Sequence, residues 1–290
     1  MATTQRRGFK LTIFLADGMP DGLRIVEKSN WTGRGFVCPR PIYPSARDRN
    51  DFGRAGVYVL VGPPAETGLP QIYIGEGDPV RPRLDSHAAK KDFWTAVIFF
   101  TSKDENLNKA HVQYLEAKLI QLATEAKRCK LENGNIPQAS SLSEADVAEV
   151  EGFLEEMLLC FPVIGLSIFE KPGKPAPKTT QLRLSGKGIV AHGYESLQGF
   201  IVTKGSEAVA SEVPSIHLHL SALRKDLLSN GILTESGSKL TFAQDYEFSS
   251  PSTAGGVILG RSTNGRTEWA TPEGVTLKKL QESSQPSLSE

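Results

Sequence analysis

Residues 73–87, YIGEGDPVRPRLDSH, place a Tyr, two arginines, three acidic residues and a His within fifteen positions. Pro82 suits the first turn of a helix, where its missing N–H costs nothing. On such a helix Arg83 and His87 stand four residues apart, so their side chains share one face, one turn from each other. A guanidinium and an imidazole presented together can grip a phosphate. Taken alone, the pair reads equally well as a solvated helix face.

The elements that must position this pair follow from the surrounding pattern. QIYIG at 71–75 is a short apolar strand, and Gly75 and Gly77 are expected to break it before the helix begins. GVYVLVG at 56–62 is its hairpin partner across a proline-stiffened loop. FWTAVIFFT at 93–101 is a third strand, apolar enough to be covered on both faces. In 107–131, Leu107, Ala110, Tyr114, Leu115, Leu119, Leu122 and Ala126 recur at helical spacing until ENGN. Ser141 and Glu144 form a capping-box pattern before a second amphipathic helix, and VIGLSIFE reads as a strand. FKLTIFL at 9–15 is also strand-like, whereas arginines and prolines at 34–54 suggest an extended arm.

Beyond the Pro- and Lys-rich stretch 171–181 the pattern changes. LRLSGKGIVAHGY and GFIVTKGS read as a Gly-punctuated hairpin, HLSALRKDLLSNG as a helix and SKLTF as a strand. Ser250 and Pro251 start a small helix, and STNGRTEW is an Asn-Gly turn into a strand. The divisions are therefore 1–53, an N-terminal strand and basic arm; 54–170, a first folded domain; 171–181, a linker; 182–277, a second domain; and 278–290, a disordered tail.

The chain has 290 residues, 39% apolar and 23% charged, which suits two domains. No stretch approaches the roughly eighteen apolar residues of a membrane span. Cys38, Cys129 and Cys160 are scattered with no CxxC pair, which argues against a zinc ribbon and fits a reducing cytoplasm. The net charge is zero, but residues 81–91 hold four basic residues against one acidic, a local basic face for phosphates. His192, His217 and His219 lack nearby Cys or acidic ligands and do not read as a metal site, and His111 reads as helix surface.

In order along the chain, Gly56-Val57-Tyr58, Tyr73-Ile74-Gly75, Arg83 and His87, Glu116 in the long helix and the asparagines of LENGN resemble the GIY-YIG nuclease family, over roughly residues 54–136. Each residue alone is a packing or surface residue, but packing does not require this order of polar groups. The resemblance implies an α+β fold, with a small three-stranded antiparallel sheet flanked by helices and a second, smaller α+β domain after it. It implies a metal-dependent endonuclease acting on DNA, with Glu116 holding one Mg²⁺ or Mn²⁺ and Arg83 clamping the scissile phosphate. Tyr58 and Tyr73 would orient or deprotonate the attacking water, with His87 assisting on the same face. The downstream Asn would be Asn133 or Asn135, with Asn133 preferred. Such chemistry needs a cation and an Arg fork for charge on the nonbridging oxygens, and a Tyr acts as a base only if its pKa of about 10 is lowered. Glu76 and Asp78 depart from the family pattern and stand beside the site.

FSSPSTAGGVILGRSTNGRTEW resembles a domain of unknown function that follows some GIY-YIG domains, and small domains associated with restriction enzymes and DNA methylases. The helix start at Ser250 to Ser252, with Arg261 and Arg266, offers a phosphate site. Equally, Ser250 and Pro251 merely start a helix and Trp269 fills a core. The resulting expectation is a cytoplasmic endonuclease of restriction, phage defence or repair. A catalytically inactive DNA-binding protein on the same scaffold, or a protein-interaction module, are the alternatives.

Overall fold

A computed structural model describes residues 8–63, 69–104, 106–134, 137, 140–170 and 179–283. The fold is α+β and divides into two compact units, residues 1–65 with 70–170, and residues 66–69 with 171–290. Among the described residues no helix is long and apolar enough to cross a membrane.

The first unit is built on a seven-stranded sheet. Its strands are β1 (Leu11–Leu15), β2 (Arg24–Lys28), β3 (Gly33–Pro39), β4 (Gly56–Val61), β5 (Gln71–Gly77), β6 (Ala96–Ser102) and β7 (Lys130–Leu131), in the spatial order β1-β2-β3-β6-β4-β5-β7. The three antiparallel strands expected from the sequence are adjacent as β6-β4-β5. Residues 34–54 are not an extended arm. They form β3, which pairs with β6, then α1 (Tyr43–Ala46) and a 3₁₀ turn (Asn50–Gly53), because Phe36, Cys38, Tyr43 and Phe52 are apolar anchors buried among the arginines.

Alternation along the strands feeds two cores. Val57, Val59, Ile72 and Ile74 face α3 (Lys109–Ala126) and α4 (Glu144–Val163), whereas Tyr58, Leu60, Val97 and Phe99 face α1 and α2 (Arg81–Lys90). Because both faces are covered, β6 is apolar from Ala96 to Phe100. Asn108 caps α3 by accepting from the N–H groups of Ala110 and His111, at 2.9 and 3.1 Å. The helix ends earlier than expected, at Lys127 in the left-handed conformation, and this frees Lys130 and Leu131 to pair in parallel with Gln71 and Ile72. The cap of α4 is Ser143, not Ser141, and 163–170 carries no strand: α4 runs to Val163, and Leu166, Ile168 and Phe169 pack into the core beyond it.

The second unit holds a four-stranded sheet, β14-β10-β9-β8, from β8 (Leu182–Gly186), β9 (Ile189–Glu195), β10 (Phe200–Val202) and β14 (Tyr246–Phe248). A three-stranded sheet, β11-β13-β12, comprises β11 (Glu207–Val209), β12 (Leu233–Ser236) and β13 (Lys239–Phe242). Its helices are α5 (Leu218–Ser229), α6 (Pro251–Leu259), α7 (Gly265–Glu268) and α8 (Leu277–Ser283). Two sequence expectations fail here. Asn264-Gly265 starts the one-turn α7 rather than a turn into a strand, since Asn264 Oδ1 accepts from the Arg266 N–H at 3.1 Å. Residues 278–283, read as part of a disordered tail, continue α8, which buries Leu277. The rest of that tail, 284–290, and linker residues 171–178 lie outside the described residues.

Candidate active site

The expected site residues of the first unit converge around β5. Alternation puts Tyr58 and Tyr73 on the α2 side of the sheet, with ring centroids 6.4 Å apart. The glycines of both strands are there for clearance, not to break the strand, which runs on through Gly75 and Gly77. A Cβ at Gly75 would strike the Tyr58 hydroxyl and lie 2.5 Å from its Cζ, and one at Gly56 would lie 2.7 Å from the Phe100 carbonyl oxygen. A Cβ at Gly77 would lie 2.7 Å from Val80 Cα, so the bare backbone there lets α2 start against the strand end.

His87, only 9% exposed, meets the fully buried Tyr58: Nε2 lies 2.7 Å from the Tyr58 hydroxyl. Burial first, then the charges of Arg83, Lys91 and Lys90, hold the His87 pKa down at about 4. The imidazole is therefore neutral at neutral pH, and Nε2 can accept the Tyr58 O–H. Burial also raises the Tyr58 pKa, with Tyr73 and Glu116 adding to it and Arg83 opposing them. Tyr73 is raised in the same way, by burial first, with Arg83 opposing. Tyr58 is therefore a phenol that donates to His87, and Arg83 pulls against the burial that raises its pKa. The Tyr73 ring lies between the His87 ring, 4.9 Å away, and the Lys91 ammonium, 4.6 Å from its centroid.

Two carboxylates approach from the α3 side. Glu76 follows Ile72 and Ile74 in the alternation of β5 and is 9% exposed; Lys109 Nζ donates to both of its oxygens, at 2.5 and 2.7 Å. Lys118 is committed to Glu151 at 2.8 Å. Neither lysine takes Glu116, which is left half-buried with no hydrogen bond or ion pair among the described residues. Burial and then the Glu76 charge raise its pKa to about 7, against the pull of Arg83 and Lys109. A half-buried carboxylate without a partner is a position a divalent cation suits, and Mg²⁺ commonly takes only one or two carboxylates, filling its other positions with water and substrate phosphate oxygens. No cluster of three metal-ligating side chains occurs among the described residues.

Asn133 lies against the outer edge of β5. Its Oδ1 accepts from the Ile74 N–H at 3.0 Å and its Nδ2 donates to the Ile74 carbonyl at 2.7 Å, so the side-chain amide pairs with the outer edge of β5 like another strand. Asn135 lies outside the described residues. Asp78 lines a cleft of about 260 Å³ with Arg54, Thr101, Ser102 and Leu107. His111 is buried, not on the surface: its Nδ1 meets the Asn106 carbonyl at 3.1 Å. Sequence reading also missed the Tyr58–His87 contact and the Glu76–Lys109 pair, both of which join residues far apart in the chain; the repeat of four from Arg83 to His87 to Lys91 was the one signal pointing to Lys91.

In the second unit the SPS and NG…W residues lock α6 to α7. Ser250 Oγ accepts from the Thr253 N–H at 3.1 Å, Ser252 Oγ accepts from the Gly265 N–H at 3.0 Å, and Trp269 Nε1 donates to the Pro251 carbonyl at 3.1 Å. Gly265 packs so closely on Pro251 that a Cβ would overlap its carbonyl. The expected phosphate site at this helix start is therefore filled by the protein itself. Arg261 donates to Glu268 at 2.7 Å and to the Ser262 carbonyl, and Arg266 Nε donates to Gln281 at 2.7 Å. His217 precedes α5 and His219 lies within it, so they do not share a strand face.

Residues 182–281 match a domain of unknown function, DUF4357, which covers the described strands and helices of the second unit. No curated protein and no solved structure matches the chain.

Proposed function

We propose that the first unit is a metal-dependent endonuclease of the GIY-YIG type, hydrolysing DNA phosphodiester bonds in restriction, phage defence or repair. The observation that carries this reading is the 2.7 Å contact of the Tyr58 hydroxyl with His87 Nε2, made beside Tyr73, Arg83 and an unpartnered Glu116. A core needs no such collection of polar groups, and burying them costs stability unless they are hydrogen-bonded or paired, so their gathering here points to function.

Arg83, exposed at the start of α2, clamps the scissile phosphate and meets the charge that grows on its nonbridging oxygens. Tyr58 directs its own proton to His87 Nε2 and meets Arg83, so one oxygen lone pair remains to accept from an attacking water that enters this almost solvent-free site with the substrate. As the water oxygen bonds to phosphorus and the P–O ester bond to the leaving strand breaks, one water proton passes to Tyr58 and the Tyr58 proton to His87, while the leaving alkoxide takes a proton from solvent. Tyr73, held between His87 and Lys91, orients the same water. Mg²⁺ or Mn²⁺ held by Glu116 supplies Lewis acidity at the phosphate. An anionic phosphate drawn to Arg83 offsets one of the charges that hold His87 neutral, so His87 becomes the stronger base when substrate is in place.

The test is incubation of the full chain with plasmid, branched and modified DNA in Mg²⁺ and in Mn²⁺, beside Glu116→Ala. Cleavage that is lost in the variant and in EDTA supports the reading. DNA binding without cleavage would make the protein a regulator on a nuclease scaffold, and neither binding nor cleavage would favour a protein-interaction module.

A further inference from the structure

Most cations around α2 and α3 are neutralised within the fold. Arg47 is paired with Asp85, Arg81 with Asp48, Lys109 with Glu76 and Lys118 with Glu151. Lys91, the C-cap of α2, has no ion-pair partner among the described residues, and neither has Lys90; Arg83 meets the Tyr58 and Tyr73 side chains in the field of Glu76. These three cations act together on His87. Like charges left uncompensated on one face repel one another, and a bound polyanion relieves that repulsion.

We propose that Lys91 is a second phosphate clamp, which binds the backbone phosphate flanking the scissile one and so holds the substrate strand at two points across the Tyr73 ring. The inference rests on the nuclease reading of the site. Its basis is placement. Lys91 Nζ lies 4.6 Å from the Tyr73 ring centroid and 6.0 Å from that of Phe93, so two aromatic faces hold the ammonium near one position. A cation ordered before the ligand arrives loses less conformational freedom on binding. Arg83 lies in the first turn of α2 and Lys91 is its C-cap, eight positions later on the same face, so their long, flexible side chains can reach one phosphate and a neighbour. The two side chains suit different tasks: the planar Arg fork grips the reacting phosphate in a fixed orientation, and the compact ammonium takes a neighbouring phosphate as a point charge.

The experiment compares wild type, Lys91→Met and Lys91→Arg in the full chain. Affinity for a duplex oligonucleotide is measured in EDTA across a salt titration, and steady-state cleavage in Mn²⁺. Met keeps the apolar stem against Tyr73 and removes only the charge. Losing one phosphate contact lowers the log–log salt slope by about 0.9, which weakens binding about eightfold at 0.1 M salt and about fourfold at 0.2 M. The loss should appear in KM rather than kcat, and Lys91→Arg should restore the slope. An unchanged slope in Lys91→Met overturns the proposal, and so does a fall in kcat with the slope unchanged, which would make Lys91 only a support for Tyr73. If wild type neither binds nor cleaves DNA, the nuclease reading fails and this inference fails with it; cleavage by wild type with an indistinguishable Lys91→Met removes Lys91 alone.

Discussion

The Tyr58 hydroxyl and His87 Nε2 face each other at 2.7 Å, joining β4 to α2 across 29 residues of sequence in a place from which solvent is almost excluded. Tyr58 also meets the Arg83 side chain, whereas the His87 ring has no other hydrogen-bond partner among the described residues. Removing the Tyr58 hydroxyl leaves the His87 nitrogen buried and unpaired.

Tyr58→Phe keeps the ring and removes the hydroxyl. Stability should fall by about 1–3 kcal/mol, the cost of an unsatisfied buried nitrogen. In the DNA cleavage assay kcat should drop by roughly 10²–10⁴. His87→Ala should cost a similar amount in kcat, and the double variant little more than either single one, because the two act as one relay. Additive losses would separate them.

The titrations of Glu116 and His87 predict opposite pH dependences of stability. Glu116 has a folded pKa of about 7, above its ordinary 4.5, so the folded state favours the protonated form; its contribution is full below about 4.5 and is lost as pH rises through 7. Glu116→Gln should therefore stabilise the metal-free protein at pH 8, by about 1–2 kcal/mol after allowance for partial exposure, and change little at pH 4.5. His87, lowered from 6.5 to about 4, contributes stability above pH 6.5 that is lost as pH falls through 4. Urea unfolding at several pH values measures both.

Cation binding by Glu116 requires its carboxylate to be ionised. With a pKa of about 7, Mn²⁺ affinity should weaken about tenfold for each pH unit below that value and level off above it. Isothermal titration of wild type and Glu116→Gln reads this without DNA. Equal Mn²⁺ binding by the two proteins would move the cation site elsewhere.

Gly75→Ala tests the clearance beneath Tyr58. The added methyl cannot fit while the ring stays in place, so the variant should lose about 1–3 kcal/mol and disturb the Tyr58–His87 contact. In a Tyr58→Ala background the same substitution should cost much less, because the obstruction is gone. An equal cost in both backgrounds would mean that the glycine serves the backbone instead.

In the second unit, Gly265→Ala drives a methyl into the Pro251 carbonyl and should lower stability by at least about 1–3 kcal/mol. Its duplex affinity and salt slope, measured where the protein remains folded, should match wild type, because the start of α6 is filled by the lock with α7. A change in salt slope at full folding would return that helix start to the DNA-binding surface.

Local pattern alone encodes the strands around Tyr58 and Tyr73, the helix placing Arg83 and His87 one turn apart, and the long helix carrying Glu116. Each depends on alternation, helical spacing or Gly and Pro chemistry within about twenty residues. Tertiary structure decided what depends on partners distant in the chain. Residues 34–54 look like a basic arm until β6 offers β3 an edge to pair with, and residues 278–283 look like a polar tail until Leu277 finds a core. Glu116 alone reads as a surface residue, but Glu76 on β5 takes Lys109 and Glu151 takes Lys118, and Glu116 is left a lone half-buried carboxylate. Likewise Gly75 reads as a strand breaker along the chain, while across the sheet it is the space that Tyr58 occupies. Sequence spacing fixes which face of its own element a side chain occupies; the neighbour it meets there, and with it the burial and charge that set its chemistry, depends on the packing of the whole chain.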